Sequence, residues 1–460
     1  MGCGRPGNRR TVSGVVLLVK HGGTVRGRLS VAVVAAAVLS AGCTGSPAAV
    51  SATAKHRPPR PPQQVLFGFD TYVGQQPDVE GTRLVRLDPV SLRDQPFSSV
   101  KLGDTTTGHV FSPDRRSMAV GAVNDRDVVV VDLVGYRVAQ TVTVARPSAT
   151  GWSTPVVVVS WPRPDRLLVY TQPAAAHTSY PAQLAVVDPA AGRVVRSEPL
   201  GGSVIASVGL DEGRAAYLVA PAGRVGTSRL VVADADGNLH VIALPGTPGG
   251  FGDGRDEEPG LAVAGGHAYV VGSTDRIADV DLGTGRVRYH VVPGLMADRV
   301  PDGPATDPGS GGIMTNDSRT VASLGGGLLS VTGYATRPAH RDTQNQNTLL
   351  SAQVVDTTTW TVRRTLHNVS QLVAAHGLYY CWLGSSLFTF PTFEAVRPGG
   401  GVVFRRTTPN AGWWEMSAGR LFESQGDAGY LELDPLTGRV LRRVSPPPDE
   451  QLDLVPWTRP

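Results

Sequence analysis

The chain of 460 residues holds three cysteines, three lysines, and only 6% aromatic residues. Three cysteines over this length exclude a disulfide-stapled scaffold. The longest apolar stretch, residues 29–42, is 14 residues. That falls short of the roughly 20 needed to cross a bilayer. A single short run and a mean hydropathy of −0.06 exclude a polytopic membrane protein. Clustered basic charge is also missing from most of the chain. Residues 1–42 hold six cations (Arg5, Arg9, Arg10, Lys20, Arg26 and Arg28) and no acid, so the remainder has 37 cations against 39 acids. The net charge of +4 therefore sits in the leader, and the rest has no field that would hold a nucleic acid.

What is present begins with an address. Arg26 and Arg28 precede Leu29-Ser-Val-Ala-Val-Val-Ala-Ala-Ala-Val-Leu39, which ends in Ser40-Ala-Gly-Cys43. A positive region, a short apolar region and small residues describe a cleaved secretory signal. Leu39-Ser-Ala-Gly-Cys43 resembles the lipobox of bacterial lipoproteins, with Ser40 where Leu is commoner. The resemblance implies a lipid on Cys43, cleavage before it, and a location on the extracytoplasmic face of the cell membrane. Residues 1–24 make an unusually long leader, which suggests translation starting near Val25. Residues 43–63, rich in Ser, Ala and Pro without apolar period, read as a disordered, partly polyproline-II tether. The folded domain is expected over 64–460.

That domain is repetitive. A short apolar strand ending in Asp recurs as Leu84-Val-Arg-Leu-Asp88, Val128-Val-Val-Val-Asp132, Leu184-Ala-Val-Val-Asp188 and Leu230-Val-Val-Ala-Asp234. It continues as Ile277-Ala-Asp-Val-Asp281, Ala352-Gln-Val-Val-Asp356 and Tyr430-Leu-Glu-Leu-Asp434, with Leu387-Phe-Thr-Phe-Pro391 as a degenerate copy. Asp88 to Asp434 spans 346 residues in seven intervals, about 49 each. Asp can cap the turn through backbone N–H groups two residues on, and Gly supplies a positive φ.

A second turn type alternates with the first, at Phe111-Ser-Pro-Asp-Arg-Arg116, Trp161-Pro-Arg-Pro-Asp-Arg166, Leu210-Asp-Glu-Gly-Arg214 and Ala264-Gly-Gly-His267. Thr315-Asn-Asp-Ser-Arg319, Ala375-His-Gly377 and Ser417-Ala-Gly-Arg420 complete the set. Two hairpins per repeat give four strands, the unit of a β-propeller blade. The fold expected is all-β: a single propeller of eight four-stranded blades, with seven as the alternative. The N-terminal unit lacks one strand, and Leu452-Asp-Leu-Val-Pro-Trp457 is expected to supply it at the outer position. Pairing of the two termini would then close the ring.

Residues 64–457 resemble the quinoprotein/YVTN-type β-propellers, and Phe111-Ser-Pro-Asp114 is similar to their commonest turn. The resemblance implies the fold and leaves the function open. Quinoprotein enzymes carry a Trp shortly after the Thr-Gly turn, whereas here Gly438 leads into Arg439-Val-Leu-Arg-Arg-Val444. No pyrroloquinoline quinone is therefore expected. Asp234-Ala-Asp-Gly-Asn238 has a carboxylate rhythm but lacks the distal Glu of a calcium loop, and it reads as a type I′-like hairpin. No calcium and no other cofactor is expected.

Catalytic signatures are missing as well. The sequence has no Gly-x-Ser-x-Gly elbow, no His-Glu-x-x-His and no phosphate-binding Gly loop; Gly-Gly-Gly at 325–327 and 399–401 reads as blade turns. The ten histidines show no metal spacing and read as solvent-facing, including His240 and His290, which sit just after their turns. Cys381, in Leu378-Tyr-Tyr-Cys-Trp-Leu383, reads as a small core residue. Gly252-Asp-Gly-Arg-Asp-Glu-Glu258 places four acids in what reads as a solvated inter-blade loop.

Long loops on a rigid ring are where binding sits. The 75-residue interval from Asp281 to Asp356 holds two insertions, 296–312 and 334–348. Candidate recognition residues are Arg337, His340 and Arg341 in the second insertion, with Trp413 and Trp414 beside them. A strand cannot bury both rings of that Trp pair on one face. The reading is a membrane-anchored, non-catalytic propeller that binds a protein or cell-envelope ligand. Rival readings are a quinone- or metal-dependent enzyme (dehydrogenase, hydrolase or lyase) with its site in the central channel, and a cell-wall carbohydrate binder using Trp413, Trp414 and Trp457.

Overall fold

The computed structural model describes residues 64–458 except 74–79, 89, 104, 123–125, 145–154, 176–177, 180, 253–254, 296–314, 339–344, 385–391, 408–413, 418, 426–428 and 445–452. Cys43, His340, Arg341 and Trp413 lie outside the described residues, as do the leader and the tether. The described chain is all-β, and one 3-10 turn at Asp211–Gly213 is its sole helical element. No helix among the described residues is long and apolar enough to cross a membrane.

The strands form a β-propeller arrangement with six discrete four-stranded blades, not eight or seven. In chain order these are sheet 1 (64–103 with 453–458), sheet 2 (105–143), sheet 3 (156–199), sheet 4 (260–291), sheet 5 (369–407) and sheet 6 (414–444). The difference from the expected count has a physical cause. Two further four-strand runs, at 203–252 and 315–366, are welded into one nine-stranded sheet by the short strand Arg255–Glu258. A two-stranded ribbon at 174–179 is a separate addition.

Each discrete sheet is antiparallel, and from sheet 2 to sheet 5 the first strands of successive units pack beside one another at the axis. Strands such as Arg166–Thr171 and Ala215–Ala220 are apolar and buried nearly throughout because both faces meet a neighbouring sheet. The outermost strands alternate in exposure, as in Arg193–Pro199 and Thr361–Leu366. A buried apolar cluster lies between each successive pair of units, and the last one joins Phe422, Tyr430 and Val444 of sheet 6 to Leu66, Val85 and Leu87 of sheet 1.

The termini pair as strands Asp453–Thr458 and Gln64–Val73, with Phe67 opposite Val455. The C-terminal strand takes the innermost place in sheet 1, not the expected outer one. The turn beginning at Asp88 joins the third and fourth strands of that sheet, so the strand missing from the N-terminal unit is the first. Val455, 1% exposed, fills this place among Phe67, Phe69 and Leu84.

The recurrent Asp works as the sequence suggests. Asp88, Asp132, Asp188, Asp281, Asp356 and Asp434 each accept, through Oδ1, the N–H groups two and three residues on. Four residues after the Asp the backbone turns left-handed. Gly285 and Gly438 do this with φ near +70°, and a Cβ on Gly438 would stand 2.5 Å from the Phe404 ring of the preceding sheet. Leu92, Tyr136 and Trp360 hold the same conformation at the same position despite the cost to an L side chain. Each of these three reaches the preceding unit: Leu92 is buried with Phe422, Tyr136 donates from Oη to the Leu84 carbonyl at 2.8 Å, and Trp360 lies on His290. Neighbouring units therefore interlock either by a side chain from the turn or by a glycine that receives one.

Three local expectations are corrected. Thr315-Asn-Asp-Ser-Arg319 is strand, and the hairpin of that unit turns instead at Gly325-Gly-Gly327. In sheet 5 the third strand is Thr392–Val396 with Arg397 in the place of the Asp; Leu387–Pro391, read as that strand, lies outside the described residues. The Asp234–Asn238 turn has a single left-handed residue, Gly237, rather than the two of a type I′ turn.

Candidate functional site

The weld between the two long runs brings the acidic segment and the flanks of both insertions together. Arg255–Glu258 pairs antiparallel with the end of Leu239–Gly252 and parallel with the start of Thr315–Gly325, placing Asp256 opposite Asn316, Glu257 opposite Asp317 and Glu258 opposite Ser318. Glycine permits the crossing: a Cβ on Gly250 would stand 2.3 Å from the Arg224 carbonyl oxygen. Three of the four acids expected in a solvated loop thus stand on a strand, with Glu257 1% and Asp256 4% exposed and Glu258 half-buried; Asp253 lies outside the described residues.

Alternation sorts this seam into two faces. Asp256, Glu258, Asn316 and Ser318 share one, where Asn316 Nδ2 donates to Glu258 Oε1 at 3.2 Å and lies 3.5 Å from Tyr334 Oη. Burial, followed by the charge of Glu258, pushes the Tyr334 phenol well above its ordinary pKa, so it stays neutral and can donate to a carboxylate. Glu257, Asp317 and Arg319 share the other face, and Arg319 donates to the Ser318 carbonyl at 3.3 Å. Gly333 leaves room for this guanidinium, since a Cβ there would meet Arg319 Nη1 at 3.1 Å. A buried polar seam of this kind fixes register, because any slip strands charges away from water.

Rising from the seam is a long hairpin, Leu328–Pro338 paired with Asn345–Asp356. Arg337 stands on its first strand opposite Gln346. Most of the second insertion is therefore strand rather than loop, and residues 339–344 join its two sides. The first insertion leads into the seam at Thr315. Trp414 does not join this surface: it is 4% exposed, stacks on Phe393 with centroids 5.0 Å apart, and its carbonyl accepts from Trp382 Nε1 at 2.8 Å. The carbohydrate reading accordingly loses Trp414 as a platform. Cys381 is buried in the core of sheet 5, and desolvation followed by the Glu394 charge pushes its thiol pKa up to about 12.

A second cluster escaped the sequence reading. His267 Nδ1 lies 2.6 Å from Asp279 Oδ1, and His290 Nε2 lies 3.6 Å from Asp279 Oδ2. Trp360, from the neighbouring sheet, covers His290 with ring centroids 3.6 Å apart. Burial lowers the His290 pKa against the opposing pull of Asp279. His290 is thus a packed histidine rather than a solvent-facing one, and the signal was Trp360 standing where other turns have Gly. Among the described residues no group of three or more His, Cys, Asp or Glu side chains is placed to hold a metal ion.

No family model matches the sequence, and no curated protein matches it. Among solved structures the fold is similar to dihydro-heme d1 dehydrogenase NirN in complex with DHE, at 12% identity and TM-score 0.48 over 86% of this chain and 73% of that one. It is similar to BamB from Moraxella catarrhalis, at 12% identity and TM-score 0.44 over 77% of this chain and 92% of that one. Apo AztD from Citrobacter koseri shares 10% identity at TM-score 0.45, over 85% and 97% of the respective chains. These are β-propeller proteins. At such scores the likeness concerns the fold alone, and the propeller assignment rests on the sheets described above.

Proposed function

We propose that this chain is an extracytoplasmic propeller, anchored to the cell membrane by a lipid on Cys43, that binds a protein or cell-envelope ligand without chemistry of its own. The observation that supports the binding role is the welded seam under the long hairpin. Arg255–Glu258 locks two runs of strands into one sheet, and buried polar pairs fix the register of the strands that carry Arg337. A hairpin held in this way loses little conformational entropy on meeting a partner, which is what a recognition arm requires. An arginine at this position brings a residue type suited to carboxylate or phosphate groups on a partner.

Photo-crosslinking tests the reading. A photoreactive residue at position 337 should give a discrete adduct in envelope membranes, whereas one at exposed Val195, on an outer strand of sheet 3, should give none. No adduct from position 337, or the same adducts from both positions, overturns it.

A further inference from the structure

Among the described residues, ten large apolar side chains are exposed, and three of them occupy one structural position. Val90 (67% exposed), Val134 (39%) and Leu436 (52%) each stand two residues after a capping Asp, at the tip of the turn between the third and fourth strands. They belong to sheets 1, 2 and 6, which are consecutive in the ring: Tyr136 of sheet 2 docks on sheet 1, and Leu92 of sheet 1 is buried against sheet 6. Elsewhere the same position holds Ala190, Asp236, Gly283 and Thr358. Val138 follows the sheet 2 tip, and Val440 and Leu441 follow the sheet 6 tip, all exposed. The other four exposed aliphatics, Val195, Val241, Val291 and Val402, lie on outer strands of other units. Exposed Arg93, Arg116 and Arg439 border the three tips.

The chain enters the folded domain at this sector. Leu66 lies opposite Leu87, so the first strand begins beside the Asp88 turn whose tip is Val90. Cys43 is 21 residues upstream of Gln64, a reach of about 70 Å at most. We propose that the turn tips of sheets 6, 1 and 2 form a docking face for the phospholipid bilayer, holding the ring tilted on the membrane that anchors it. Aliphatic tips enter the acyl boundary while the arginines meet lipid phosphates. This inference rests on the lipid anchoring proposed above. It adds an orientation that the anchor alone does not impose.

The acylated full-length chain, reconstituted in vesicles of phosphatidylethanolamine and phosphatidylglycerol, provides the test. Single substitutions Val90→Cys, Val134→Cys, Leu436→Cys and Thr358→Cys each place one reactive thiol for an environment-sensitive fluorophore, because Cys381 is buried with a raised pKa. Flotation reads the anchor, and iodide quenching reads the docking. Floating vesicles should protect labels at 90, 134 and 436 from iodide by at least roughly threefold while position 358 stays accessible. Val90→Asp combined with Leu436→Asp should float equally well and lose the protection at position 134. Equal quenching at all four positions in protein that floats overturns the docking face. Protein that does not float overturns the anchoring, and the docking inference with it.

Discussion

Trp360 lies flat on His290, with ring planes 2° from parallel, and the two residues come from different sheets. The contact exists because Trp360 accepts a left-handed backbone at φ 56° in a position where Gly285 and Gly438 turn freely. Its cost is about 1–2 kcal/mol, so the stack and the burial of the indole must exceed it. Trp360→Gly removes the strain and the stack together. The expected outcome is net destabilisation of about 1–3 kcal/mol by denaturant unfolding; a stabilised variant would show that the ring contributes nothing.

The same packing sets a pH response. Burial lowers the His290 pKa from its ordinary value of 6.5, so the unfolded chain binds this proton more readily than the folded one. The His290 contribution is therefore complete above pH 6.5 and declines as pH falls through the lowered folded value. His290→Phe should flatten the loss of stability on acidification below that pH. NMR titration of His290 in the intact chain should give a pKa under 6.5; a value at or above it contradicts the packing.

The seam makes a sharper demand. By strand alternation Arg319 lies on the same face as Asp317 and its partner Glu257. Replacing Arg319 by Met leaves the Ser318 carbonyl without this donor and takes a positive charge from a buried face that carries two carboxylates, at a cost of about 1–3 kcal/mol. Hydrogen exchange should accelerate first in 315–338 and 345–356, while sheet 2 stays protected. Uniform acceleration across the ring would mean that the seam does not hold the hairpin.

Cys381 serves as an internal control on the core. With its pKa pushed up to about 12 by burial, it should resist alkylation by iodoacetamide at pH 8 in the native chain and react on unfolding. Native reactivity would place sheet 5 in a looser environment than the one described.

Legibility in the sequence followed local chemistry. Asp with its following N–H groups is a short-range device, and the turns at Asp88, Asp132, Asp188, Asp281, Asp356 and Asp434 all fold as their residues suggest. Propeller architecture followed from counting two turn types per repeat. What failed depended on distant chain. The acids at 256–258 look like solvated loop because nothing local says that Asn316 to Ser318 will pair with them 60 residues later. That pairing also merges two runs into one sheet and lowers the number of discrete blades. Trp414 and Trp413 are indistinguishable in sequence; only the sheet decides that Trp414 packs on Phe393. His290 could have been read from Trp360, had the turn position been recognised as the place that addresses the neighbouring sheet.

The central structural claim is a ring closed by its own last strand. Thermal melting of the chain truncated after Glu450 tests it most directly, because the truncation removes Val455 from a core that includes Phe67, Phe69 and Leu84 and opens an inner edge of sheet 1. The account predicts a melting temperature lower by on the order of 5–10 °C, with exchange in 64–87 rising first. An unchanged melting temperature would contradict it.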